Sequence, residues 1–428
     1  MARIALIGAG SGFGSRLSVD ILSFPALQDS TLCLVDINPE AAEGVGRFVQ
    51  RVIDDNELPA RVEVATDRRE VLAGADYVIV SIAVGGPAYD GVPYYHEVAI
   101  PAEYGVEQQI ADTLGPGGVF RALRCAPEML AICDDMEELC PEALLINYTN
   151  PMAMLCWAMG AATELDIVGL CHSVQGTAHQ LAGYIGVPAD EVTYWVAGIN
   201  HMSWFLEFAH QGRDAYPLLF EAMEKPEVFK QDPVRFEIMR HFGAFVTEST
   251  PHMSEYVPYF RKRPELIEEF GLHRRRPNKE AEKRERFWQK DDPKESTELH
   301  RSGEYASCII HAIETNTPYR FNGNVPNSGL ITNLMEGCCV EVPCLTDGTG
   351  VRPCGVGDLP PQLAALNSSN IAVQQLTVEA VLERDLEKAY MAVALDPLTA
   401  AVCSLREIRS MFDAMVEAEK PWLEAWYG

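Results

Sequence analysis

The feature that most constrains this chain is an alternation over its first 160 residues. Apolar runs of strand length stand at 4–7, 31–35, 61–65, 77–82 and 143–146. Helix-period patterns separate most of them, notably at 39–53 and 126–138. Such an alternation predicts a doubly wound parallel sheet, because helices on both faces bury the apolar strands from two sides. A further run at 167–170 is expected to extend the sheet. That would put Cys171 at its carboxyl edge, where open α/β sheets bind ligands.

The first turn of that sheet carries Gly8-Ala9-Gly10-Ser11-Gly12-Phe13-Gly14 between a strand and a helix. Glycine at 8 permits a tight turn, and glycine at 10 lets a pyrophosphate reach the helix's unpaired N–H groups. The pattern departs from GxGxxG, since Phe13 stands where the third glycine belongs. Asp36 ends the second strand, placed to accept hydrogen bonds from ribose hydroxyls, and so favours NAD over NADP. The expected cofactor contacts are Gly8, Gly10, Ser11, Phe13, Asp36, Ser81 and Asn150, with Gly85 and Gly86 nearby.

Past residue 190 the pattern changes. Strands at 193–197 and 204–209 suggest an antiparallel addition, followed by helices at 217–224 and 233–242. The stretch 261–300 is highly charged and reads as a solvated helix and loop, with a lid or subunit contact as the lesser alternative. A small β patch near 338–343 precedes long helices from about 361. The expected organisation is a Rossmann-type NAD domain over 1–190 and an interleaved α+β substrate-binding and oligomerisation domain over 191–428. A net charge of −28 argues against nucleic acid and anionic membranes as partners. The twelve cysteines lack CxxC spacing and read as reduced core residues of a cytoplasmic protein. The start of the chain reads as a strand, with no signal peptide expected.

Two motifs thirty residues apart offer metal ligands: Cys171-His172-Ser173-Val174 and Gly198-Ile199-Asn200-His201. A cysteine or histidine alone reads better as core. Together, after adjacent strands, Cys171 and His201 make a two-ligand site whose open positions suit an octahedral ion chelated by vicinal hydroxyls. A closed zinc site would need two more protein ligands. Asp112-Thr113-Leu114-Gly115-Pro116-Gly117-Gly118 reads either as a turn and helix cap or as a loop lining a pocket, with Arg121 and Arg124 on the helix after it. Asn150 follows a strand end, where its amide can bridge cofactor and substrate.

At these residues the chain resembles glycoside hydrolase family 4, the NAD- and manganese-dependent glycosidases, and within it the α-galactosidase (melibiase) group. The matching stretches are Ile7–Ser11, Ile110–Gly118, Asn147–Pro151, Cys171–Thr177, Gly198–His201, Thr247–Ser249, Ser254–Tyr256 and Gly337–Val342. His172-Ser173 after the cysteine is similar to the α-galactosidase form. The resemblance implies redox elimination in place of the usual two-carboxylate chemistry. C3 of the sugar is oxidised, the C2 proton leaves, the C1 oxygen departs, water adds, and C3 is reduced again. It implies NAD and Mn²⁺ as cofactors, Cys171 and His201 as metal ligands, and Tyr256 as the C2 base, with Tyr259 as its near neighbour. The acid is His172 or Asp112. Asn150, Arg121 and His172 would touch the sugar, and a homodimer or homotetramer is expected.

Other readings stay open. Within the family they are an α-glucosidase or an α-galacturonidase. Outside it, a simple NAD-dependent polyol or hydroxyacid dehydrogenase would release NADH stoichiometrically, as a glycosidase would not. A non-catalytic sugar or nucleotide sensor would not need the ligands and base.

Overall fold

A computed structural model describes residues 1–86, 91–279 and 296–426. Among them one mixed sheet runs through the molecule. Its strands are β1 (Arg3–Ile7), β2 (Thr31–Val35), β3 (Arg61–Ala65), β4 (Tyr77–Val80), β5 (Leu144–Asn147), β6 (Ile167–Gly169), β7 (Val192–Ile199), β8 (Met202–His210), β9 (Arg213–Asp214), β10 (Tyr319–Pro326), β11 (Cys339–Asp347) and β12 (Gly350–Pro353). The order is β3-β2-β1-β4-β5-β6-β10-β11-β7-β8-β9, with β12 paired to β11.

The first six strands pair in parallel. Every residue of β2 and β4 is buried, as strands covered on both faces require. Strand β3 lies at the edge and exposes Arg61 and Glu63, charges that discourage pairing with another chain. This is the expected doubly wound half, and the C-terminal part continues its sheet. Strand β10 runs antiparallel to β6, with Asn324 opposite Gly169, and β11 joins it to the β7–β8 hairpin. The parallel core therefore grows an antiparallel wing, and the carboxyl ends of β6 and β7 approach one another across β10 and β11.

Two elements differ from the expectation. The helix expected at 126–138 starts eleven residues earlier and spans Gly115–Leu139. Gly115-Pro116-Gly117-Gly118 is its first turn, where proline loses no hydrogen bond. A Cβ at Gly117 would lie 2.7 Å from the Ala111 Cβ, and one at Gly118 2.6 Å from the Thr113 carbonyl carbon. These glycines serve close packing rather than flexibility. The strand expected to end at 197 continues to Ile199, so Asn200 and His201 form a two-residue hairpin tip.

Helix Pro361–Glu383 packs beneath that hairpin. Asn367 accepts from the Trp204 indole at 2.9 Å and donates to the Met202 carbonyl at 2.8 Å. Asn370 donates to the Tyr256 carbonyl at 3.2 Å. Of the charged stretch 261–300, expected as a solvated helix and loop, the described part carries helix Pro264–Glu269, and residues 280–295 lie outside the described residues. No helix among the described residues is long and apolar enough to cross a membrane.

Candidate active site

Three glycines set the turn after β1. Gly8 has φ +82°, and a Cβ there would lie 2.1 Å from the Ser81 carbonyl oxygen. A Cβ at Gly10 would lie 2.5 Å from the Ala41 Cβ and 2.7 Å from Oδ2 of Asp36. A Cβ at Gly14 would lie 2.0 Å from the Ala9 carbonyl oxygen. The close helix–strand contact that a third glycine provides therefore falls to Gly14. Phe13, freed from that task, turns its ring onto Tyr148 at 4.8 Å. Ser11 caps helix Gly12–Leu22 by accepting from the Phe13 N–H. Asp36 accepts from the Gly10 N–H and the Asn38 N–H, both at 2.9 Å. Glycine at 10, an open helix amino end and a carboxylate across the turn fit a dinucleotide's pyrophosphate and ribose.

On the carboxyl side of the sheet, Asp112, Thr113 and His201 converge. The Thr113 hydroxyl lies 2.7 Å from Oδ1 of Asp112 and 2.9 Å from Nδ1 of His201. It has one proton, and the adjacent carboxylate takes it. An imidazole that donates from Nδ1 to this hydroxyl keeps its Nε2 lone pair for a metal. Asn150 donates to Oδ2 of Asp112 at 3.0 Å, and Nε of Arg121 donates to the Asn150 carbonyl at 3.3 Å. The Tyr256 hydroxyl lies 3.3 Å from Nδ1 of His201. Burial, then the charge of Asp112, pushes the Tyr256 phenol well above its ordinary value.

Glu248, Thr113, His252 and Glu255 also serve this cluster, and sequence reasoning assigned them no role. Ligand atoms of Asp112, His201 and His252 all lie within 4.8 Å of one another. Nδ1 of His252 meets the Ser249 hydroxyl at 2.9 Å and Glu248 at 3.4 Å, while its Nε2 lies 3.9 Å from Asp112. Burial would raise the Glu248 carboxyl, but His252 and His201 beside it hold it below the ordinary glutamate value. Glu255 accepts from the backbone N–H groups of Gln109, Ile110 (2.9 Å) and Ala111 (3.1 Å), anchoring the segment that leads to Asp112. Ala111, His201 and Glu248 all have left-handed backbones, with φ of +54°, +62° and +79°. Strain gathered in this way marks sites where geometry serves function.

Cys171 is buried just past β6. Burial, then the charges of Glu341 and Glu248, pushes its thiol far above the ordinary cysteine value, so a nearby cation would be needed to make it a thiolate ligand. Neither atom of the buried Asn200 amide has a protein partner among the described residues. Two imidazoles and a carboxylate fit a divalent ion with open positions, and Cys171, expected beside His201, does not belong to that group among the described residues. The fold does not bring His172 to this cluster. Its side chain is 63% exposed at the start of helix Ser173–Ile185 and faces Glu304 at 3.9 Å.

A glycine turn facing an acidic residue, and beyond it a polar, metal-capable cluster, together define an enzyme class that joins a dinucleotide fold to a second reactive centre. Comparison with known proteins makes the class particular. The profile described as "Family 4 glycosyl hydrolase" matches residues 3–187, and that of its C-terminal domain matches 196–399. The chain is 43% identical to an alpha-galactosidase of Bacillus subtilis (strain 168), over 99% of both chains. It is 38% identical to an alpha-galactosidase of Rhizobium meliloti (strain 1021), over 98% of this chain and 89% of that one. The 6-phospho-beta glucosidase of Thermotoga maritima, solved with manganese, NAD⁺ and glucose-6-phosphate, shares the fold at TM-score 0.79 and 22% identity, over 99% of both chains. The chain belongs to family 4 of the glycosyl hydrolases and is a glycoside hydrolase.

Proposed function

We propose that this enzyme is an α-galactosidase that works by redox elimination with bound NAD and Mn²⁺. The observation that carries the reading is the Tyr256 hydroxyl 3.3 Å from His201, inside the Asp112–His201–His252 cluster. A base of high pKa thus stands beside a metal-capable imidazole. The α-galactosidase relatives and the His172-Ser173 pair after Cys171 support the substrate class. The Thermotoga maritima complex supports the two cofactors.

When bound, these groups supply hydride exchange at C3 and Lewis-acid polarisation of the substrate oxygens. The protein's own residues do the rest. Cys171 and His201 hold the metal, with Asp112 and His252 within reach of the same ion. Gly8, Gly10, Ser11, Phe13 and Ser81 shape the dinucleotide cradle, and Asp36 accepts from the ribose. Asn150, held by Arg121, orients the sugar beside Asp112. Tyr256 takes the C2 proton, acidified by a carbonyl at C3, and the C1–oxygen bond breaks. A cation at His201 would lower the phenol's pKa, opposing the effect of burial. Asp112 serves as the acid better than His172, since it lies in the cluster. Water then adds to the double bond, and the net reaction is hydrolysis.

Residues 1–190 form the NAD domain in this reading, and 191–428 supply the base and the oligomer contacts of a homodimer or homotetramer. Twelve free cysteines support a reducing, cytoplasmic setting. The test is release of p-nitrophenol from α-galactoside, α-glucoside and α-galacturonide substrates with Mn²⁺, NAD⁺ and a reductant present. The α-galactoside should be cleaved fastest without NADH accumulating. Preference for another epimer, or NADH formed in step with product, would overturn it.

A further inference from the structure

Arg235, on helix Pro233–Phe242, is 1% exposed, and Asp232 beside it is 2% exposed. The two form an ion pair. Nε of Arg235 donates to Oδ1 of Asp232 at 2.8 Å, and Nη2 donates to Oδ2. The Phe245 ring lies 4.9 Å from the guanidinium. Apolar side chains in place of a buried ion pair are often neutral for stability, so stability alone gives little reason for charges here. What a guanidinium adds is five N–H donors in a fixed fork.

Those donors reach well beyond Asp232. Nη1 donates to the Glu248 carbonyl at 2.7 Å and to the Thr177 hydroxyl at 3.1 Å, with the Val246 carbonyl at 3.4 Å. Nη2 also donates to Oε1 of Gln180 at 2.6 Å. All five N–H groups are thereby used. Asp232 in turn accepts from the Thr250 hydroxyl at 2.6 Å and the Tyr184 hydroxyl at 3.1 Å. The pair therefore grips the chain at 246, 248 and 250. Between these grips Thr247 is fixed to β8. Its N–H donates to the Ser203 carbonyl at 2.8 Å, and its hydroxyl accepts from the Ser203 N–H at 3.0 Å. Glu248 sits inside this clamp at φ +79°, a conformation that persists in an L residue only where its surroundings impose it. From that backbone its carboxylate reaches Nδ1 of His252 at 3.4 Å, and Nε2 of His252 lies 3.9 Å from Asp112.

We propose that the Arg235–Asp232 pair is a positioning device for the metal cluster. It holds Glu248 in its left-handed backbone and, through Glu248, sets the His252 ring toward Asp112 and His201. Arg235 and Asp232 are positioning residues, and the inference rests on the reading that places a metal at the Asp112–His201–His252 group.

The test compares Mn²⁺ affinity, by calorimetric titration, in wild type, Arg235→Lys, the double variant Asp232→Asn with Arg235→Met, and Gln180→Met. Lysine keeps the charge but presents one nitrogen, which cannot span Asp232, Glu248 and Thr177 together. The double variant leaves no lone buried charge to disturb the fold. Both should weaken Mn²⁺ binding by about 10-fold or more, the scale of contacts behind metal ligands, while NAD affinity stays at the wild-type value. Gln180→Met loses only an acceptor on an exposed residue and should stay within about threefold of wild type. Wild-type Mn²⁺ affinity in either folded Arg235 variant would overturn the proposal. So would an equal loss in Gln180→Met, or a matching fall in NAD affinity, because the defect would then be general. If neither Arg235 variant folds, Thr250→Val breaks the Asp232 end of the grip, and unchanged affinity there would overturn the proposal in the same way. A second readout needs no metal. The His252 ring packs 4.9 Å from His201 and 6.0 Å from Tyr256, so its nuclear magnetic resonance signal in histidine-labelled protein with chelator reports its placement. With that signal assigned by His252→Asn, Arg235→Lys should move it, while His210, at the other end of β8 and paired with Glu191, stays. An unmoved His252 signal would overturn the proposal. Wild type that binds no Mn²⁺, yet whose His252 signal moves in Arg235→Lys, would refute the metal reading and leave the positioning role standing.

Discussion

Thr113→Val isolates the contact between the Thr113 hydroxyl and Nδ1 of His201. Valine keeps the side chain's shape and removes its hydroxyl. In the buried pocket this deletes the 2.7 Å bond to Asp112 and the 2.9 Å acceptor for Nδ1 of His201. Asp112 keeps the Asn150 amide at 3.0 Å, and His201 keeps only the longer 3.3 Å contact to Tyr256. A bond to a charged group contributes about 1.5–3 kcal/mol net, and contacts behind metal ligands typically set about 10–100-fold in affinity. At about 1.4 kcal/mol per decade the two scales agree. Thr113→Val should therefore weaken Mn²⁺ binding by about one to two decades. Calorimetric titration of Mn²⁺ into the protein, with Thr113→Ser as the control that restores the hydroxyl, measures this directly. Melting curves in chelator separate a folding defect from a site defect. Wild-type Mn²⁺ affinity in Thr113→Val would refute the claim that Thr113 prepares His201.

Three further outcomes follow. Gly10→Val should abolish NAD binding measured by fluorescence, because its side chain would start 2.5 Å from Ala41 and 2.7 Å from Asp36; retained binding would contradict the cradle. Tyr256→Phe should lower kcat by about 10²–10⁴-fold in single-turnover and steady-state assays while the fold persists; near-normal kcat would move the base elsewhere. Burial pushes the Asp396 carboxyl up to about 6, against an ordinary value near 4. The native state thus holds that proton more tightly than the unfolded chain. Its contribution is fully present below about pH 4 and is lost as pH rises through about 6, by up to about 3 kcal/mol. Asp396→Asn should flatten that window in urea-melt stability, and an unchanged slope would exclude the assignment.

The parallel half of the fold was legible because its strands are buried on both faces and read as unbroken apolar runs. Candidate residues were legible where they follow strand ends, as Asp36, Asn150 and the His201 tip do, while Cys171 follows β6 outside the Asp112–His201–His252 group. The start of helix Gly115–Leu139 was not, since a Gly-Pro-Gly-Gly sequence signals a loop unless one knows that Ala111 and Thr113 press against it. His252 and Glu248 escaped assignment for a related reason. They lie on a segment outside the sheet, tied down by Arg235, which donates to the Glu248 carbonyl at 2.7 Å. The left-handed backbone of Glu248 leaves no mark in the sequence. His172 was expected as a candidate acid and sugar contact because the resemblance gives that role to the residue directly after Cys171. At a helix start, neighbours along the chain point apart, and His172 turns toward Glu304 and solvent.

The central claim is elimination across C1–C2 with a proton taken from C2. Hydrolysis of an α-galactoside in deuterated water tests it most directly, with the released sugar examined by nuclear magnetic resonance. Redox elimination predicts deuterium at C2 of the product, absent from the unreacted control sugar, and no net NADH. A product carrying hydrogen alone at C2, formed at the full rate of hydrolysis, would contradict the mechanism and return the enzyme to direct displacement at C1.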